Sequence, residues 1–321
     1  MDKFRLFPPE ASTSAQQIDW IYFALVALTF LICIIVFVPI ISFAIKYRRG
    51  SKADRSNPRV ESVLIESGWT IVPLLIFIGL FGWGAVVYFH VENPPRDALQ
   101  VIVVGKQWMW RLQHAEGKQE INELHVPVAR AVELTMTSQD VIHSFFVPAF
   151  RLHQDVVPGK YTREWFRATR TGEYHIFCSQ YCGTQHSAMI GRVVVMEPVD
   201  YARWLNTGQP MESIALAGER LFRERGCSGC HSVNSKFHAP LLEGIYRKPV
   251  PLETGEMVTV DERYVRDSIL LPGKEIAKGY QNIMPSFAGT LSEEEIMQLI
   301  AYIKSIGNQT PSNESAPNEQ R

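Results

Sequence analysis

The chain has 321 residues, enough for two or three domains, and 46% of them are hydrophobic. Its 32 Lys and Arg residues nearly balance its 33 Asp and Glu residues, which gives a formal net charge of −1. A balance this close gives no indication of binding to nucleic acid or to acidic lipid.

Two apolar segments predict a transmembrane hairpin. Residues 21–45 and 67–91 contain no Asp, Glu, Lys or Arg, and a helix of about 20 apolar residues crosses the hydrocarbon layer. The first predicted helix spans residues 20–45, and the second runs from about residue 66 to 90. Neither segment has a polar face, which disfavours a pair of buried core helices. The first apolar run is too long for a cleaved signal peptide, so we expect it to be retained.

The connection between the two helices is strongly basic. Its cationic residues are Lys46, Arg48, Arg49, Lys52, Arg55 and Arg59. The positive-inside rule places this connection in the cytoplasm. Both termini and everything after Glu92 then lie outside, as expected for a two-helix protein of a bacterial inner membrane whose later domains face the periplasm.

From residue 98 the hydrophobic period shifts to two, which is typical of β-strands. Strands are predicted at residues 99–104, 132–138, 161–168, 173–177 and 192–196. Short strands separated by Gly and Pro favour an antiparallel sandwich or barrel. Trp108 and Trp110 are one residue apart, and on a strand they would face the same side as a core aromatic pair.

Residues 201–212 are predicted to be a linker, with a turn at residues 208–210. An amphipathic helix is then predicted at residues 214–225, ended by Gly226. A helical second unit after the β-rich region is therefore expected.

A last helix is predicted at residues 292–306, where Ser292 and Glu295 have the spacing of a capping box. Met297 lies on this helix at a spacing typical of an ordinary core residue. Residues 307–321 are rich in Asn, Ser, Pro and Gln, and we predict a disordered tail there.

Residues 227–231 read Cys-Ser-Gly-Cys-His, the attachment sequence of c-type haem. Cys227 and Cys230 would form the two thioether bonds, and His231 would bind the iron. A zinc ribbon would need a second Cys pair, and a thioredoxin motif would not need the histidine. The remaining unassigned cysteine, Cys33, lies in the first apolar segment and is interpreted as an apolar filler.

The sixth iron ligand should be a methionine or a histidine further along the chain. The residues available are Met257, Met284, Met297 and His238. Met284 stands in the stretch Gly-Tyr-Gln-Asn-Ile-Met-Pro-Ser-Phe, which resembles the methionine loop of a class I cytochrome c. We therefore expect ligation by His231 and Met284, which raises the reduction potential of a haem.

The loop between the last two predicted strands carries Cys178, Cys182, His186 and Met189. Thiols, an imidazole and a thioether are ligands that suit copper. A blue copper centre needs one cysteine, so this loop has one too many. Two thiolates at this spacing can bridge two metal ions, each needing a terminal ligand; His186 supplies one, and His143 is the best candidate for the other. The alternative for an isolated C-x3-C pair is a disulfide or two buried thiols.

Three stretches together resemble the copper A domain of cytochrome c oxidase subunit II: residues 143–148, residues 155–159 and the loop at 178–189. The resemblance covers roughly residues 15–205 and implies a greek-key cupredoxin domain. The predicted domains are an outer segment 1–19, a transmembrane helical hairpin 20–92, an all-β cupredoxin domain 96–200, the linker 201–212, an all-α cytochrome c domain 213–306 and the tail 307–321.

The resemblance also implies roles for individual residues. The implied copper ligands are bridging Cys178 and Cys182, terminal His143 and His186, axial Met189 and the axial backbone carbonyl of Gln180. Trp108 is implied as the electron entry point, and Glu66 as the entrance of a proton channel in the neighbouring catalytic subunit. Many relatives have glutamate where this chain has Gln180, and that glutamate helps to hold magnesium. A neutral amide is a weaker ligand for Mg²⁺, so Asp155 alone would be a poor anchor.

The implied function is electron transfer in a terminal cytochrome c oxidase. Electrons would pass from an external donor, a cytochrome or a quinol-oxidising complex, through covalent haem c to dinuclear copper A. They would then reach a catalytic subunit I, accompanied by subunit III, that reduces oxygen and pumps protons. Four alternatives remain: a copper A subunit of a nitric oxide reductase, a membrane copper-delivery protein, a quinol oxidase subunit, which would not need these ligands, and a redox sensor.

Overall fold

The computed structural model describes residues 7–56, 62–207 and 212–306. Arg59 of the basic connection, the predicted turn at residues 208–210 and the predicted tail at 307–321 lie outside the described residues. The described chain forms a helical hairpin, a two-sheet β-domain and a C-terminal helical domain, in that order.

Two long helices open the chain, α1 (Thr13–Lys46) and α2 (Val63–Glu92). Each begins after a serine, Ser12 or Ser62, whose hydroxyl accepts a hydrogen bond from a backbone N–H of the first turn. The most apolar stretches of the two helices have mean hydropathies of 3.1 and 2.2, and both helices are long enough to cross a membrane. Their apolar side chains are largely exposed, as a lipid-facing hairpin requires.

Helix α1 starts well before the predicted residue 20 because the β-domain holds its first turns. The Asp19 carboxylate accepts from Arg151, with a shortest N–O distance of 2.7 Å. The Ser12 hydroxyl donates to the carbonyl of Phe150 at 2.9 Å. These contacts are between residues far apart in sequence, so local hydropathy does not predict this helix start.

Ten strands form the two sheets of the β-domain. They are β1 (Leu99–Lys106), β2 (Met109–His114), β3 (Gln119–Ile121), β4 (Glu123–Pro127), β5 (Ala131–Ser138), β6 (His143–Val147), β7 (Leu152–Val156), β8 (Thr162–Arg167), β9 (Gly172–Cys178) and β10 (Ile190–Met196). One sheet has the order β3-β2-β1-β5-β8, and the other has the order β4-β10-β9-β6-β7. Most neighbouring strands are antiparallel, but β1 with β5 and β4 with β10 are parallel. The predicted β-sandwich is confirmed.

The five predicted strands correspond to β1, β5, β8, β9 and β10, whereas the other five strands were not predicted. The prediction that Trp108 and Trp110 share a strand face is wrong. Trp108 lies in the turn between β1 and β2, while Trp110 on β2 is fully buried and packs edge to face with Phe145 at 5.0 Å. The chain reverses direction just before Met109, so the two indoles do not share one strand.

A helix, α3 (Pro198–Leu205), occupies part of the predicted linker. Its Tyr201 hydroxyl lies 3.2 Å from Nδ1 of His114, and its Trp204 ring stacks on His125 with centroids 4.5 Å apart. The predicted linker is thus partly a structured element, because aromatic side chains on α3 pack against histidines of the β-domain.

The C-terminal domain contains helices and a small hairpin. Its elements are α4 (Ile214–Glu224), β11 (Pro249–Pro251), β12 (Met257–Thr259), α5 (Glu262–Leu270) and α6 (Glu293–Ser305). The predictions of α4 and α6 are confirmed, including the end of α4 at Gly226, which has a φ of 78°, and the capping box of Ser292 and Glu295. The short, charge-rich α5 was not predicted; it has only nine residues, of which Tyr264, Val265 and Ile269 are buried apolar ones.

Glu120 on β3 links the two histidines that hold α3. Its carboxylate accepts from Nε2 of His114 at 2.8 Å, and from both Nδ1 and the backbone N–H of His125. Burial by itself raises the pKa of Glu120, but the hydrogen bonds from the two histidines lower it to about 2. The ionised carboxylate is therefore favoured in the folded state.

We expect Glu120→Gln to lower the free energy of unfolding by about 1–3 kcal/mol near neutral pH, since an amide oxygen cannot serve both histidines. The folded-state pKa lies below the ordinary glutamate value of 4.5. The contribution of the carboxylate is therefore complete above that pH and is lost as the pH falls towards 2. Denaturant unfolding at several pH values measures this. Glu123→Gln, which alters a more exposed ion pair with Arg192, is the control. An equal loss at neutral and strongly acid pH would contradict the prediction.

Helices α4 and α6 approach closely at Gly218. A methyl group there would lie 1.9 Å from the carbonyl oxygen of Gln298. We expect Gly218→Ala to destabilise the C-terminal domain by about 1–3 kcal/mol in thermal unfolding, although alanine is the better helix former. Gly229→Ala is the control, because no heavy atom lies within 4 Å of the added carbon. A stability gain in the first variant would show that the helices separate freely.

Candidate metal centre and haem site

Strand pairing brings the cysteine loop to His143. β6 pairs with β9 so that Phe145 lies opposite Cys178. His143 at the start of β6 is then close to Cys178 at the end of β9, with Nδ1 3.9 Å from Sγ. Both side chains are buried. The fold therefore brings these two predicted ligands together.

The Sγ atoms of Cys178 and Cys182 are 3.7 Å apart, and both thiols are free. This separation is far longer than a disulfide bond of about 2.05 Å. It is short enough for both sulfurs to bind the same metal ion at about 2.3 Å, a usual metal–thiolate distance. The geometry therefore fits bridging thiolates and does not support the disulfide alternative.

The remaining three predicted ligands lie close to these sulfurs. Nδ1 of His186 is 3.5 Å from Sγ of Cys182, and Sδ of the buried Met189 is 3.9 Å from it. The carbonyl oxygen of Gln180 is 3.2 Å from Sγ of Cys178. One histidine and one weak axial donor thus accompany each sulfur. This donor set of thiolate, imidazole and thioether fits copper.

Asp140 orients the imidazole of His143. Its carboxylate accepts a hydrogen bond from Nε2 at 2.8 Å, and it is itself held by the backbone N–H groups of Gln107 at 2.8 Å and Val141 at 2.7 Å. With Nε2 protonated, the lone pair of Nδ1 faces the sulfurs, which is the tautomer that a metal ligand needs. The sequence analysis missed Asp140, although a carboxylate three residues before a ligand histidine could have indicated it.

The two thiols differ in acidity. Burial acts to raise the pKa of Cys178, but the neighbouring imidazole of His143 and the backbone of Ser144 lower it to about 6. Burial, together with the neighbouring Cys178, raises the pKa of Cys182. The pair therefore loses its first proton readily and its second with difficulty. A bound cation would supply the charge that the second deprotonation needs.

Trp108 packs on the loop that carries the ligands. Gly183 has a φ of 121°, and a Cβ atom there would lie 3.1 Å from Cζ2 of Trp108. The neighbouring Gln107 donates from Nε2 to the carbonyl of Cys182 at 2.7 Å. The turn between β1 and β2 is therefore in direct contact with a predicted bridging ligand.

The haem motif begins with a short 3-10 turn, Cys227–Gly229, after which the N–H of His231 donates to the carbonyl of Cys227 at 3.0 Å. Nδ1 of His231 lies 2.8 Å from the carbonyl of Pro240. A carbonyl accepts only, so Nδ1 is protonated and Nε2 remains as the iron-binding atom. The tautomer of His231 therefore fits the predicted haem.

Apolar side chains that follow the motif in sequence, and one next to Met284, are exposed. Val233, Phe237 and Ile283 are 79%, 60% and 52% exposed. Met284, next to Ile283, also packs against the core of the C-terminal domain. A porphyrin would cover such apolar groups, which is a second observation in favour of haem binding.

The other proposed sixth ligands are placed less favourably. Met257 on β12 is 62% exposed, and the ring of His238 stacks on Tyr280. Met297 on α6 is buried, as predicted for a core position. Met284 therefore stays the predicted ligand.

Among the described residues, neither Glu66 nor Asp155 belongs to a cluster with metal-site spacing. Glu66 is in the first turn of α2, at the end of the hairpin that carries the basic connection. Asp155 is an exposed residue of β7, paired in register with Ser144. Within the described residues, the groups of His, Cys, Asp and Glu with metal-site spacing do not include Asp155.

Three family models match the chain in order. They are the transmembrane domain of cytochrome C oxidase subunit II over residues 3–83, its periplasmic domain over residues 118–198, and cytochrome c over residues 215–307. This chain belongs to the cytochrome c oxidase subunit II family. It carries, in addition, a C-terminal cytochrome c domain.

Individual relatives extend over most of the chain. It is 27% identical to cytochrome c oxidase subunit 2 of Alkalihalophilus pseudofirmus over 311 residues, covering 90% of this chain and 88% of the relative. It is 30% identical to cytochrome c oxidase subunit 2 of Cereibacter sphaeroides over 240 residues, covering 62% of this chain and 78% of the relative. The crystal structure of the periplasmic domain of subunit II of cytochrome oxidase of Bradyrhizobium japonicum has 30% identity and a TM-score of 0.35. It covers 36% of this chain and 96% of that one.

Membership of the subunit II family makes the chain a membrane protein and a component of a haem–copper oxidase complex that contains subunit I. Its domains point to copper A and haem c as cofactors. This assignment replaces the copper-delivery and redox-sensor alternatives.

Asp140→Asn tests the orientation of His143. The amide keeps a hydrogen bond to Nε2 but removes the charge that raises the basicity of the imidazole, so we expect copper affinity to fall about 10-fold or more. Competition between the purified complex and a copper chelator measures the affinity. Asp155→Asn is the control, because Asp155 is exposed and has no hydrogen bond to a predicted ligand among the described residues. Unchanged copper retention in Asp140→Asn would contradict the role of Asp140.

Proposed function

We propose that the chain is the electron-transfer subunit of a terminal cytochrome c oxidase. Electrons would enter from an external donor at covalently bound haem c, pass to dinuclear copper A and continue to subunit I, which reduces oxygen to water and pumps protons. The observation that carries the proposal is the set of four donors, two imidazoles, a thioether and a backbone carbonyl, gathered around two cysteine sulfurs that are 3.7 Å apart.

The ligand set is closed, which supports electron transfer over catalysis on this chain. Each sulfur is accompanied by one imidazole and one axial donor. Cys178, Cys182 and Met189 are all buried. A substrate would need an open coordination position, and this donor set leaves none. Oxygen reduction is therefore assigned to the partner subunit.

The residues of the copper site would have distinct tasks. Cys178 and Cys182 would bridge the two coppers, while His143 and His186 would bind one copper each. When bound, the copper pair supplies a one-electron redox couple. The rigid strands β6, β9 and β10 hold the donors in place, and such preorganisation keeps the geometry similar in both oxidation states.

Trp108 is proposed as the entry point for electrons. Its ring contacts Gly183, the residue after Cys182. This contact supports a short path from the domain surface to a bridging thiolate. The methionine at position 109, where the family usually has tyrosine, would alter the surface around this path.

The C-terminal domain would hold the haem through thioether bonds to Cys227 and Cys230, with His231 and Met284 on the iron. Ligation by His and Met raises the reduction potential, as a carrier that donates to copper requires. Tethering this carrier to the copper domain replaces diffusion with an effective concentration set by the linker. The external donor would then need to reach only the haem domain.

The membrane orientation follows from charge. Lys46, Arg48, Arg49, Lys52 and Arg55 lie in or next to the described part of the connection between α1 and α2, so this end is proposed to be cytoplasmic. Both metal domains and both termini would lie on the periplasmic side of a bacterial inner membrane. Glu66 would then be at the cytoplasmic end of α2, a position that supports its role at a proton-channel entrance in subunit I.

Subunit III is a further proposed partner. The magnesium region of the family is proposed to lie near Asp155. This aspartate is exposed, and the neutral Gln180 adds little charge, so a cation there would need ligands from subunit I.

The decisive experiment is copper and haem analysis of the purified oxidase complex, together with its oxygen uptake. We expect two coppers shared as one redox unit, with the hyperfine pattern of an electron spread over two nuclei. Cys182→Ser should abolish that pattern and oxygen uptake, because one sulfur cannot bridge both ions. Cys33→Ser is the control, since Cys33 is an exposed residue of α1.

Two results would contradict the proposal. One is a single copper per chain with Cys178 and Cys182 open to alkylation. The other is a complex that consumes nitric oxide and does not take up oxygen.

For the haem, Met284→Ala should remove the methionine–iron absorption band while leaving the haem covalently attached.

A further inference from the structure

A row of charged side chains joins the C-terminal domain to the outer face of the β3-β2-β1-β5-β8 sheet. Arg111 on β2 pairs with Glu294 at the start of α6, with N–O distances of 2.6 and 3.0 Å. Arg163 on β8 pairs with Glu262 at the start of α5. Glu262 is buried and also accepts from Lys304 at 2.6 Å. Two helices of one domain are thus tied to two strands of the other.

A third contact lies beside these pairs. The Tyr161 hydroxyl is 3.4 Å from Oε2 of Glu293, which is paired with Arg266. The guanidinium of Arg266 lies against Gly159, where a Cβ atom would be 3.7 Å away. The ring of Tyr161 also packs on the core of the C-terminal domain. Tyr161 is therefore an apolar anchor within a charged contact.

These contacts lie in the half of the sheet nearest the copper ligands. Arg111 pairs across the strands with Val104, and a Cβ atom on the next residue, Gly105, would touch the His143 ring at 3.0 Å. Arg163 is the second residue of β8, which runs antiparallel to β5 and so begins where β5 ends. The C-terminal domain is thus tied to the sheet near the metal centre.

Beside the charge pairs, the sheet and α6 are not closely packed. A cavity of about 810 Å³ separates the sheet from α6. Ile102 and Thr135 line it from the sheet, and Met297 and Ile300 line it from α6. Protein interiors normally contain few voids larger than a water molecule. Apolar packing between the sheet and α6 is therefore incomplete, and the ion pairs, together with the Tyr161 ring, supply the contacts between the two domains described here.

We propose that Arg111 and Arg163 are positioning residues that latch the cytochrome c domain electrostatically over the copper end of the β-domain. The inference rests on the proposed function, because the latch would keep haem and copper at one separation for electron transfer within the chain. Solvent-accessible ion pairs weaken as salt screens them. The latch should therefore open on charge reversal and at high ionic strength.

The test uses the intact oxidase complex carrying Arg111→Glu, which places like charges opposite each other at Glu294. Hydrogen–deuterium exchange of residues 159–163 and of the first turn of α6 reports whether the domains separate. Stopped-flow absorbance reports how fast copper A is reduced after haem c. We expect faster exchange at these segments and electron transfer slowed about tenfold, the effect of a tenfold fall in the latched fraction.

Charge restoration and a matched control complete the design. The swap Arg111→Glu with Glu294→Arg should restore both readouts at low salt. Arg192→Glu is the control, because Arg192 pairs with Glu123 and Glu173 inside the β-domain. It should change neither readout. Unchanged exchange and electron transfer in the double variant Arg111→Glu with Arg163→Gln would overturn the latch, as would a swap that fails to restore them.

The two readouts separate failure of the latch from failure of the proposed function. Amide exchange needs neither cofactor to report on domain contact. If exchange is unaffected while copper and haem signals are normal, the latch is wrong and the electron-transfer role stands. If wild-type complex shows no copper A signal, the proposed function is wrong, and the exchange data still decide whether the domains are latched.

Discussion

The pairing of β6 with β9 is the constraint on which the metal centre depends. Phe145 is held opposite Cys178, the last residue of β9. This pairing places His143 beside the Cys178 thiol. A shift of one residue would turn His143 to the other face of the sheet, since side chains alternate along a strand. The ligands lie 35 residues apart in the chain, yet a single hydrogen-bond register brings them together.

Burial orders the side chains of this centre and also makes charge on its thiols costly. Two thiols, an imidazole and a thioether, each within 4 Å of a neighbour in the group, share a buried site where ionising both thiols would be costly. A metal cation removes that cost, because it neutralises the thiolates and occupies the lone pairs. Residues around the ligands fix their positions. Asp140 orients the imidazole of His143, and Gln107 donates a hydrogen bond to the carbonyl of Cys182. The site is therefore defined by its hydrogen-bonded surroundings as much as by its ligands.

The two outer domains are joined by contacts of different kinds. At one end, Tyr201 and Trp204 of α3 pack on a buried network of Glu120 with His114 and His125. Nearer the copper ligands, arginine–glutamate pairs tie the sheet to α5 and α6 beside an open cavity. The first contact is well packed and polar groups in it are satisfied. The second contact is open and charged, so salt in the solvent should weaken it more than the first.

The sequence by itself determined the features that depend on local chemistry. Two uncharged apolar segments predicted the hairpin. The residues from Cys227 to His231 indicated the haem motif, and the ligand types of the cysteine loop indicated copper. Helices α4 and α6 were predictable because an amphipathic stripe, a glycine stop and a capping box are all local signals. The short strands β2, β3, β4, β6 and β7 were not, because their pairing energy comes from neighbours distant in sequence.

Only the tertiary structure decided the rest. It separated Trp108 from Trp110 by a turn, started α1 early through Asp19 and Arg151, and converted part of the linker into α3. It also added Asp140 to the metal site. The common physical reason is that each of these features depends on a contact between residues that the chain must fold to bring together.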